Sequence, residues 1–481
     1  MSKFNQTNTA KTLNRCGHVA YAMDDKSKLV SQVLTTFFGE PKYYGDTSGE
    51  LMETACRILD EDPKFVSNLA VYARKEMHLR SVSHALTALL AKHEKGKSYV
   101  KKTAAGVIER PDDVTEILAC YLGLFGKPIP NALKKALGAA LGRFDAYQLS
   151  KYSGGNKSVK FRDVLRLAHP VPANAEQEKL FGMVLTDTLP VAERWETELS
   201  AQGNTREIWE KLIAEDKLGY MAMLRNLRNI LKADPKNLDE VYKKLSDRER
   251  ILHSKQLPFR FFSAYREICG LPCCTSKALD VLETAVECST ENLPELSGKT
   301  VVAIDTSGSM VTPISRNSAV TCADVARLLA VLVARLCEDS IVYTFDTRIE
   351  QATFSRKGGM IETAMHIPVK GGGTDLTLPL EKMLANRIFA DRLILLSDNE
   401  INSRYGWTEE STCQSFAEKY RREINKNLWV HAIDLQGYGT QQFIGAKTNL
   451  VAGWSERILE FLALSEQGFD TQVKRISEYE F

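Results

Sequence analysis

Asp305, Ser307 and Ser309 stand at alternate positions in Asp-Thr-Ser-Gly-Ser, directly after the apolar run Val301-Val-Ala-Ile304. A turn at the end of a strand would aim this carboxylate and the two hydroxyls at one centre. Gly371-Gly-Gly-Thr-Asp375 offers another hydroxyl, Thr374, on a glycine loop, and Asp398 closes the later apolar run Leu393-Ile-Leu-Leu396. Two carboxylates and three hydroxyls suit a hard divalent cation, Mg²⁺ or Mn²⁺. Hydroxyls donate little charge, so the ion stays electrophilic toward an incoming carboxylate or phosphate. The competing reading makes these residues helix caps and turn formers, roles in which Asp and Ser are common. Two enzymatic readings fail on residue type. A phosphatase built on an aspartate after the first strand needs a second acid two positions on, where Ser307 stands, and no histidine base accompanies it. Gly298-Lys-Thr300 resembles the end of a P-loop, but Leu293 occupies the required glycine position and the segment enters a strand.

A second chemistry lies earlier in the chain. Residues 127–166 carry Lys127, Lys134, Lys135, Arg143, Lys151, Lys157, Lys160, Arg162 and Arg166 against only Asp145 and Asp163. Tyr147, Tyr152 and Phe161 interleave with these charges as rings that could stack on bases. A further basic band runs from Lys217 to Arg260 and includes Arg225 and Arg228. Such stripes on neighbouring helices would track a phosphate backbone; the plain alternative is solvated helix faces. His169, before Pro170, reads by itself as a helix-end cap.

The elements that must position these groups fall into two blocks. From about residue 26 to 291 the sequence is one amphipathic helix after another, roughly sixteen, with apolar residues at spacings of three and four. Asp62-Pro63, Pro111-Asp112-Asp113 and Asp234-Pro235 punctuate them. Short helices joined by short turns bury their faces only against neighbours, which predicts an irregular α-solenoid. After Glu291–Gly298 come KTVVAID, IVYTFD, RLILLSD and NLWVHAID, each ending in aspartate and separated by helical stretches. That alternation predicts a parallel, doubly wound α/β sheet with its binding crest at the strand C-termini.

Composition narrows the class. The 481 residues are 44% hydrophobic and 26% charged, which excludes a disordered or collagen-like chain. The net charge of +2 hides a split: about +6 over residues 1–300 and about −4 over the rest. The ten cysteines include no CxxC pair, and Cys269, Cys273 and Cys274 have no histidines at zinc-ligand spacing, so reduced, scattered thiols are expected. The polar N-terminus shows no signal peptide, and the most apolar helix, around Val325–Cys337, carries Arg327 and Arg335 and is too short to span a bilayer. A soluble, cytoplasmic protein is expected.

The five crest residues, in order and on these elements, resemble the metal-ion-dependent adhesion site of a von Willebrand factor type A domain. Lys151-Tyr152, Asp163-Val-Leu-Arg-Leu-Ala-His-Pro-Val-Pro172, Leu218–Leu227 and Leu257-Pro-Phe259 resemble the signatures of TROVE-module proteins, the Ro autoantigen family. The resemblance covers nearly the whole chain. It implies a TROVE module of HEAT-like repeats over 1–296, a type A domain over 297–465 that joins the ends into a ring, and a tail, 466–481, of no recognised role. It implies an RNA-binding, non-enzymatic scaffold of ribonucleoproteins in RNA quality control, likened to bacterial or phage members. Small noncoding Y or Y-like RNAs would lie on the outer basic surface, and single-stranded 3′ ends of misfolded RNAs in the central hole. Lys134, Lys135, Lys151, Lys157, Lys160, Arg162, Arg166 and His169 are the candidate RNA contacts. Asp305, Ser307, Ser309, Thr374 and Asp398 are the candidate Mg²⁺ or Mn²⁺ ligands. The resemblance further implies a monomeric ring and, in bacterial relatives, an RNA-tethered 3′-exonuclease such as polynucleotide phosphorylase. The other readings are a metal-dependent protein adaptor on a helical scaffold and an unrecognised nuclease, the latter lacking a cluster of convergent acids and histidines.

Overall fold

The computed structural model describes residues 11–13, 19–21, 24–35, 47–154, 157–190, 195–314, 320–355, 357–398, 412–435, 442–445, 447–452, 458–466 and 469–481. Most of the polar N-terminal stretch, Gly155-Asn156 and Asn399-Glu400 lie outside them. The chain forms two compact units. One is Asp24–Glu193 with Asp470–Phe481; the other is Met1–Met23 with Arg194–Phe469. The polypeptide thus leaves the first unit near its middle and returns to it near its end.

The first unit is helical throughout its described residues. Helices Pro63–Lys75, Ser81–Lys92, Val100–Val107, Pro111–Phe125, Asn131–Leu141 and Phe161–Ala168 each pack on near neighbours in sequence, as a helical solenoid requires. The punctuation acts as its chemistry dictates. Asp62 caps the helix that Pro63 opens, its carboxylate accepting from Phe65 N–H. Asp145 and Gln148 form a capping box. Asp234 ends helix Tyr220–Ala233 in the left-handed region, φ 50°, just before Pro235.

Asp113 does more than open a helix. Its fully buried carboxylate accepts from Arg80 Nε (2.6 Å), Arg74 (3.3 Å) and the backbone N–H groups of Glu109 (3.0 Å) and Arg110 (2.9 Å), with His84 Nε2 at 3.0 Å. Three helices and the entry to one of them meet at that side chain. Burial alone would push its carboxyl up, but the hydrogen bonds from His84 and Arg80 and the Arg80 charge outweigh it and hold the group far below the ordinary range.

In the second unit, helices from Arg206–Ala214 to Ser276–Ser289 lead into a six-stranded sheet. With the short antiparallel pair Lys11–Leu13 (β1) and Val19–Tyr21 (β2) counted first, its strands are β3 (Leu296–Asp305), β4 (Cys337–Phe345), β5 (Ile349–Ala352), β6 (Arg392–Ser397), β7 (Trp429–Asp434) and β8 (Thr448–Ala452). They lie in the order β5-β4-β3-β6-β7-β8. The four aspartate-ended runs become β3, β4, β6 and β7, all parallel. The sheet departs from an all-parallel one at its edge, where β5 runs antiparallel to β4. Ile-Glu-Gln-Ala is too short and polar to announce itself, as suits an edge strand. Val301, Ala303, Leu393, Leu395, Val430 and Ala432 share a core with Leu380, Met383, Ala417 and Tyr420 of helices Leu378–Ala385 and Cys413–Glu423. Val302, Ile304, Ile394 and Leu396, also buried, point to the opposite face. Burial on both faces explains why these strands read as continuous apolar runs.

The helical part of this unit is joined to the α/β part by a carboxylate. Glu283 accepts from the N–H groups of Ile361 (3.0 Å) and Glu362 (2.7 Å) at the start of helix Met360–His366. Arg335–Glu287 (3.2 Å) and Arg266–Asp324 (3.5 Å) add ion pairs nearby. No described helix is long and apolar enough to cross a membrane. The nine described cysteines are free thiols.

Arg80 and Arg74 each keep a second carboxylate, Asp112 (2.7 Å) and Glu109 (3.0 Å), so Asp113→Asn, which weakens the charged hydrogen bonds at the buried centre, should cost about 1.5–3 kcal/mol at neutral pH. A native pKa below the unfolded value adds stability above the unfolded pKa and loses it as pH falls toward the folded one. The stability gap between wild type and Asp113→Asn, measured by urea unfolding, should therefore shrink steadily below pH about 4. A gap unchanged between pH 7 and 3 contradicts this assignment.

Candidate functional site

The crest forms where β3 and β6 end. Asp305, the last residue of β3, is fully buried beside the end of β6, and Ser397 donates to its Oδ2 at 2.6 Å. Ser307 N–H donates to the other carboxylate oxygen at 2.8 Å, and the Ser307 and Ser309 hydroxyls lie 3.1 Å apart. The glycine loop is stitched to this turn: Gly308 N–H donates to Gly372 O (3.1 Å) and Gly371 N–H to Thr306 O (2.9 Å). Thr374 and Asp398 are buried beside it, 3% and 1% exposed.

The electrostatics are those of a cluster of buried acids. Burial raises the Asp305 carboxyl to about 6; hydrogen bonds from Ser397 and Ser307 pull it down, and the charge of Asp398 pushes it up. Asp346, Asp375 and Asp434, at or near the same strand ends, are also buried. Asp375 Oδ1 accepts from Thr377 N–H (3.1 Å) and Oγ1 (2.6 Å), while its Oδ2 is buried with no hydrogen-bond partner. Among the described residues no three His, Cys, Asp or Glu side chains converge on one metal position, so a cation here would depend on the hydroxyls. The donor set of hydroxyls with few carboxylates and the orphaned buried oxygen both fit a hard divalent ion. The sequence reading omitted Ser397, Asp346 and Asp375. Asp346 ends an apolar run just as Asp305 does, and Asp375 adjoins Thr374, which were the available signals.

The basic stretch resolves into separate groups in the first unit. Lys134, half-buried on helix Asn131–Leu141, borders a small apolar crevice with Leu137, Leu167 and Ala168. That helix approaches the turn after Ala168 closely because residue 138 is glycine: a Cβ there would lie 2.8 Å from Ala168 Cβ. Lys134 and the His169 turn are thereby brought together. His169 is exposed and ends helix Phe161–Ala168 in the left-handed region, φ 45°, its N–H donating to Leu165 O. It is a helix-end residue, as expected, but the cap is made by its backbone and not by its ring. Lys135 and Arg166 are exposed. Lys151, also exposed, lies 5.7 Å from the Tyr152 ring, and the Arg110 guanidinium lies 5.0 Å from the same ring.

Other candidates are committed elsewhere. Lys157 donates to Tyr152 O (2.8 Å), Arg162 pairs with Asp187 (3.5 Å), and Lys160 is the half-buried N-cap of helix Phe161–Ala168. Arg143 donates to Ile108 O (2.6 Å). Phe161, read as a stacking ring, is only 4% exposed and packs in the core; Tyr147, at 62%, is accessible. Part of the second basic band is ion-paired, through Lys217–Glu198, Lys244–Asp216, Arg228–Glu267 and Arg248–Glu291. These acidic partners all lie outside the band, so a local charge count overstated it.

Helical arrays followed by a parallel sheet with this crest define a two-module architecture, and comparison with known proteins agrees. The family model for the TROVE domain matches residues 39–190 and 186–278, and that for the Ro60 vWA domain matches 299–436. The chain belongs to the TROVE-domain family of Ro proteins. It is 23% identical over 304 residues to telomerase protein component 1 of Rattus norvegicus, covering 46% of this chain and 12% of that protein. It is 24% identical over 231 residues to the RNA-binding protein RO60 of Caenorhabditis elegans, covering 45% and 35%. The chain thus spans only a minor part of the length of these relatives. The crystal structure of the Ro (Rsr) protein of Deinococcus radiodurans superposes with a TM-score of 0.68 at 15% identity, over 92% of this chain and 99% of that one. Helices and sheet therefore share that fold.

His169→Gly tests the cap. Glycine tolerates the left-handed backbone, so stability should be unchanged or rise by up to about 1 kcal/mol, with the entropy of the unfolded chain offsetting part of the gain. A clear loss of melting temperature would mean that the ring holds the turn.

Proposed function

We propose that this protein binds RNA through the first helical unit and holds it as a non-catalytic scaffold. The observation that carries the reading is the juxtaposition of Lys134 with the His169 turn, fixed by the close approach at Gly138, with exposed Lys135 and Arg166 on the same two helices. Lys151 and Arg110 about Tyr152 form a second cationic group. Lysines neutralise phosphates without regard to sequence, whereas an exposed histidine beside them adds a hydrogen-bonding, stackable ring. Kinship with a worm protein named as RNA-binding supports the same reading. The finer proposal is a structured noncoding RNA of the Y or Y-like type, single-stranded 3′ ends of misfolded RNA as second ligands, and a 3′-exoribonuclease such as polynucleotide phosphorylase as protein partner. A monomeric ring in the cytoplasm completes it.

The acid-rich crest belongs to a different task. Asp305, Ser307, Ser309, Thr374 and Asp398 would hold Mg²⁺ or Mn²⁺, which supplies an electrophilic position for an acidic side chain of a protein partner. A metal-dependent adaptor with no RNA role is the second reading, favoured by the same buried carboxylates.

Affinity for a hairpin RNA with a single-stranded end should fall steeply with salt. Changing Lys134, Lys135 and Lys151 together to alanine should flatten the log–log slope by about 0.7–0.9 for each phosphate no longer neutralised. His169→Gly should weaken binding without loss of stability. An unchanged slope in the triple variant removes this surface from the proposal.

Calorimetry should detect one Mg²⁺ or Mn²⁺ per chain, abolished in Asp305→Ala, while RNA affinity stays the same in that variant and after chelation. Wild type binding neither ion ends the metal assignment. RNA binding abolished by chelation would place the metal in the RNA site instead.

A further inference from the structure

Three of the nine described cysteines stand together, and neither the RNA nor the metal reading uses them. Cys269, Cys273 and Cys274 occupy the connection between helices Pro258–Ile268 and Ser276–Ser289, which pack against each other. The chain reverses there through two tight turns. Cys269 ends the first helix, its N–H donating to Tyr265 O (2.8 Å). Leu271 N–H then donates to Ile268 O (2.9 Å), and Cys274 N–H to Leu271 O (3.0 Å). Thr275 opens the second helix, its hydroxyl accepting from Ala278 N–H (3.3 Å). A Cβ at Gly270 would meet nothing within 4 Å, so the connection has room to adjust.

The other described thiols are placed differently. Cys120, Cys322, Cys337 and Cys413 are buried, and the charged neighbours of Cys56 and Cys288 are carboxylates and arginines. In the connection, Cys269 is exposed and the other two thiols are half-buried. The three do not converge on one metal position. They are nonetheless neighbours through space. Burial raises the Cys274 thiol, and Cys269 raises it further, ahead of Cys273, which adjoins it in sequence. Tyr265, one turn before Cys269, responds to burial and then to Cys269, Glu283, Glu362 and Cys274, which push its phenol up to about 12. Cys269 and Cys274 thus lie about one ring.

We propose that Cys269 and Cys274 are a modification site, a dithiol that a hydroperoxide converts to a reversible disulfide. The accessible Cys269 thiolate attacks one peroxide oxygen and breaks the O–O bond, becoming a sulfenic acid as hydrogen peroxide yields its first water. Cys274 sulfur then attacks the Cys269 sulfur; the S–S bond forms and the sulfenic oxygen leaves as the second water. Two thiols lose two electrons, and one peroxide gains them. Cys273 is the poorer partner for Cys274, because a bond between adjacent cysteines closes a strained ring around the peptide that joins them. The site stands independently of the RNA and metal readings.

The test treats the full-length reduced protein with hydrogen peroxide at pH 8, alkylates the remaining thiols, and maps them by peptide mass spectrometry. In wild type, a Cys269–Cys274 disulfide should form, and dithiothreitol should return both thiols. Cys269 should leave the reduced pool at least about tenfold faster than Cys56 and Cys288, since a second thiol traps its sulfenic acid. Cys269→Ser and Cys274→Ser should each abolish the disulfide, whereas Cys273→Ser should leave it. The wild-type map decides the matter even if a variant misfolds. The proposal is overturned if no disulfide joins Cys269 to Cys274, if Cys273→Ser abolishes it, or if Cys56 and Cys288 are oxidised as fast as Cys269.

Discussion

The first unit is organised around one buried anion. Asp113 has no access to water, yet two arginines, a histidine ring and two backbone N–H groups converge on it. A buried charge is tolerable only when its hydrogen-bonding capacity is filled, so helices Pro63–Lys75, Ser81–Lys92 and Pro111–Phe125 cannot shift independently. Arg110 is held by that carboxylate through its backbone, and its guanidinium reaches the Tyr152 ring beside Lys151. Helices Asn131–Leu141 and Phe161–Ala168 then follow as neighbours in the same array, carrying Lys134 and His169. A carboxylate that touches no ligand thus sets the positions of the groups that would.

The second unit uses buried acids differently. Parallel strands deliver Asp305, Asp346, Asp398 and Asp434 to one edge of the sheet, and the turn and glycine loop knit around Asp305 through backbone bonds. Ser397 and Ser307 satisfy part of the Asp305 carboxylate. Burial and the charge of Asp398 still raise its pKa. The cationic groups around Lys134 and Tyr152 lie in one unit and the buried acids of the crest in the other.

Fold class was legible because both periodicities are strong: 3.6 through the helices and uninterrupted apolar runs in β3, β4, β6 and β7. The crest turn was legible because its hydroxyls and carboxylates are adjacent in sequence. What escaped was non-local. β5 and β8 are short, and β5 carries edge-strand polarity. Phe161 looked like a stacking ring until its neighbours Val164 and Leu165 showed it facing the core. The Lys217–Arg260 band looked cationic because Glu198, Glu267 and Glu291, its partners, lie outside the window. Asn68 gave no sign at all, since the Ile476 and Ser477 carbonyls that accept from its amide are more than four hundred residues away.

The central claim is that RNA lies on the first helical unit. Ultraviolet crosslinking of the purified protein with its co-purifying RNA, followed by mass spectrometry of the crosslinked peptides, reads that surface directly. The account predicts adducts within residues 131–141 and 146–172, with Tyr147 and His169 as the reactive rings. Adducts confined to the crest loops around Ser307 and Thr374, or a protein that carries no RNA and crosslinks to none supplied, would contradict it.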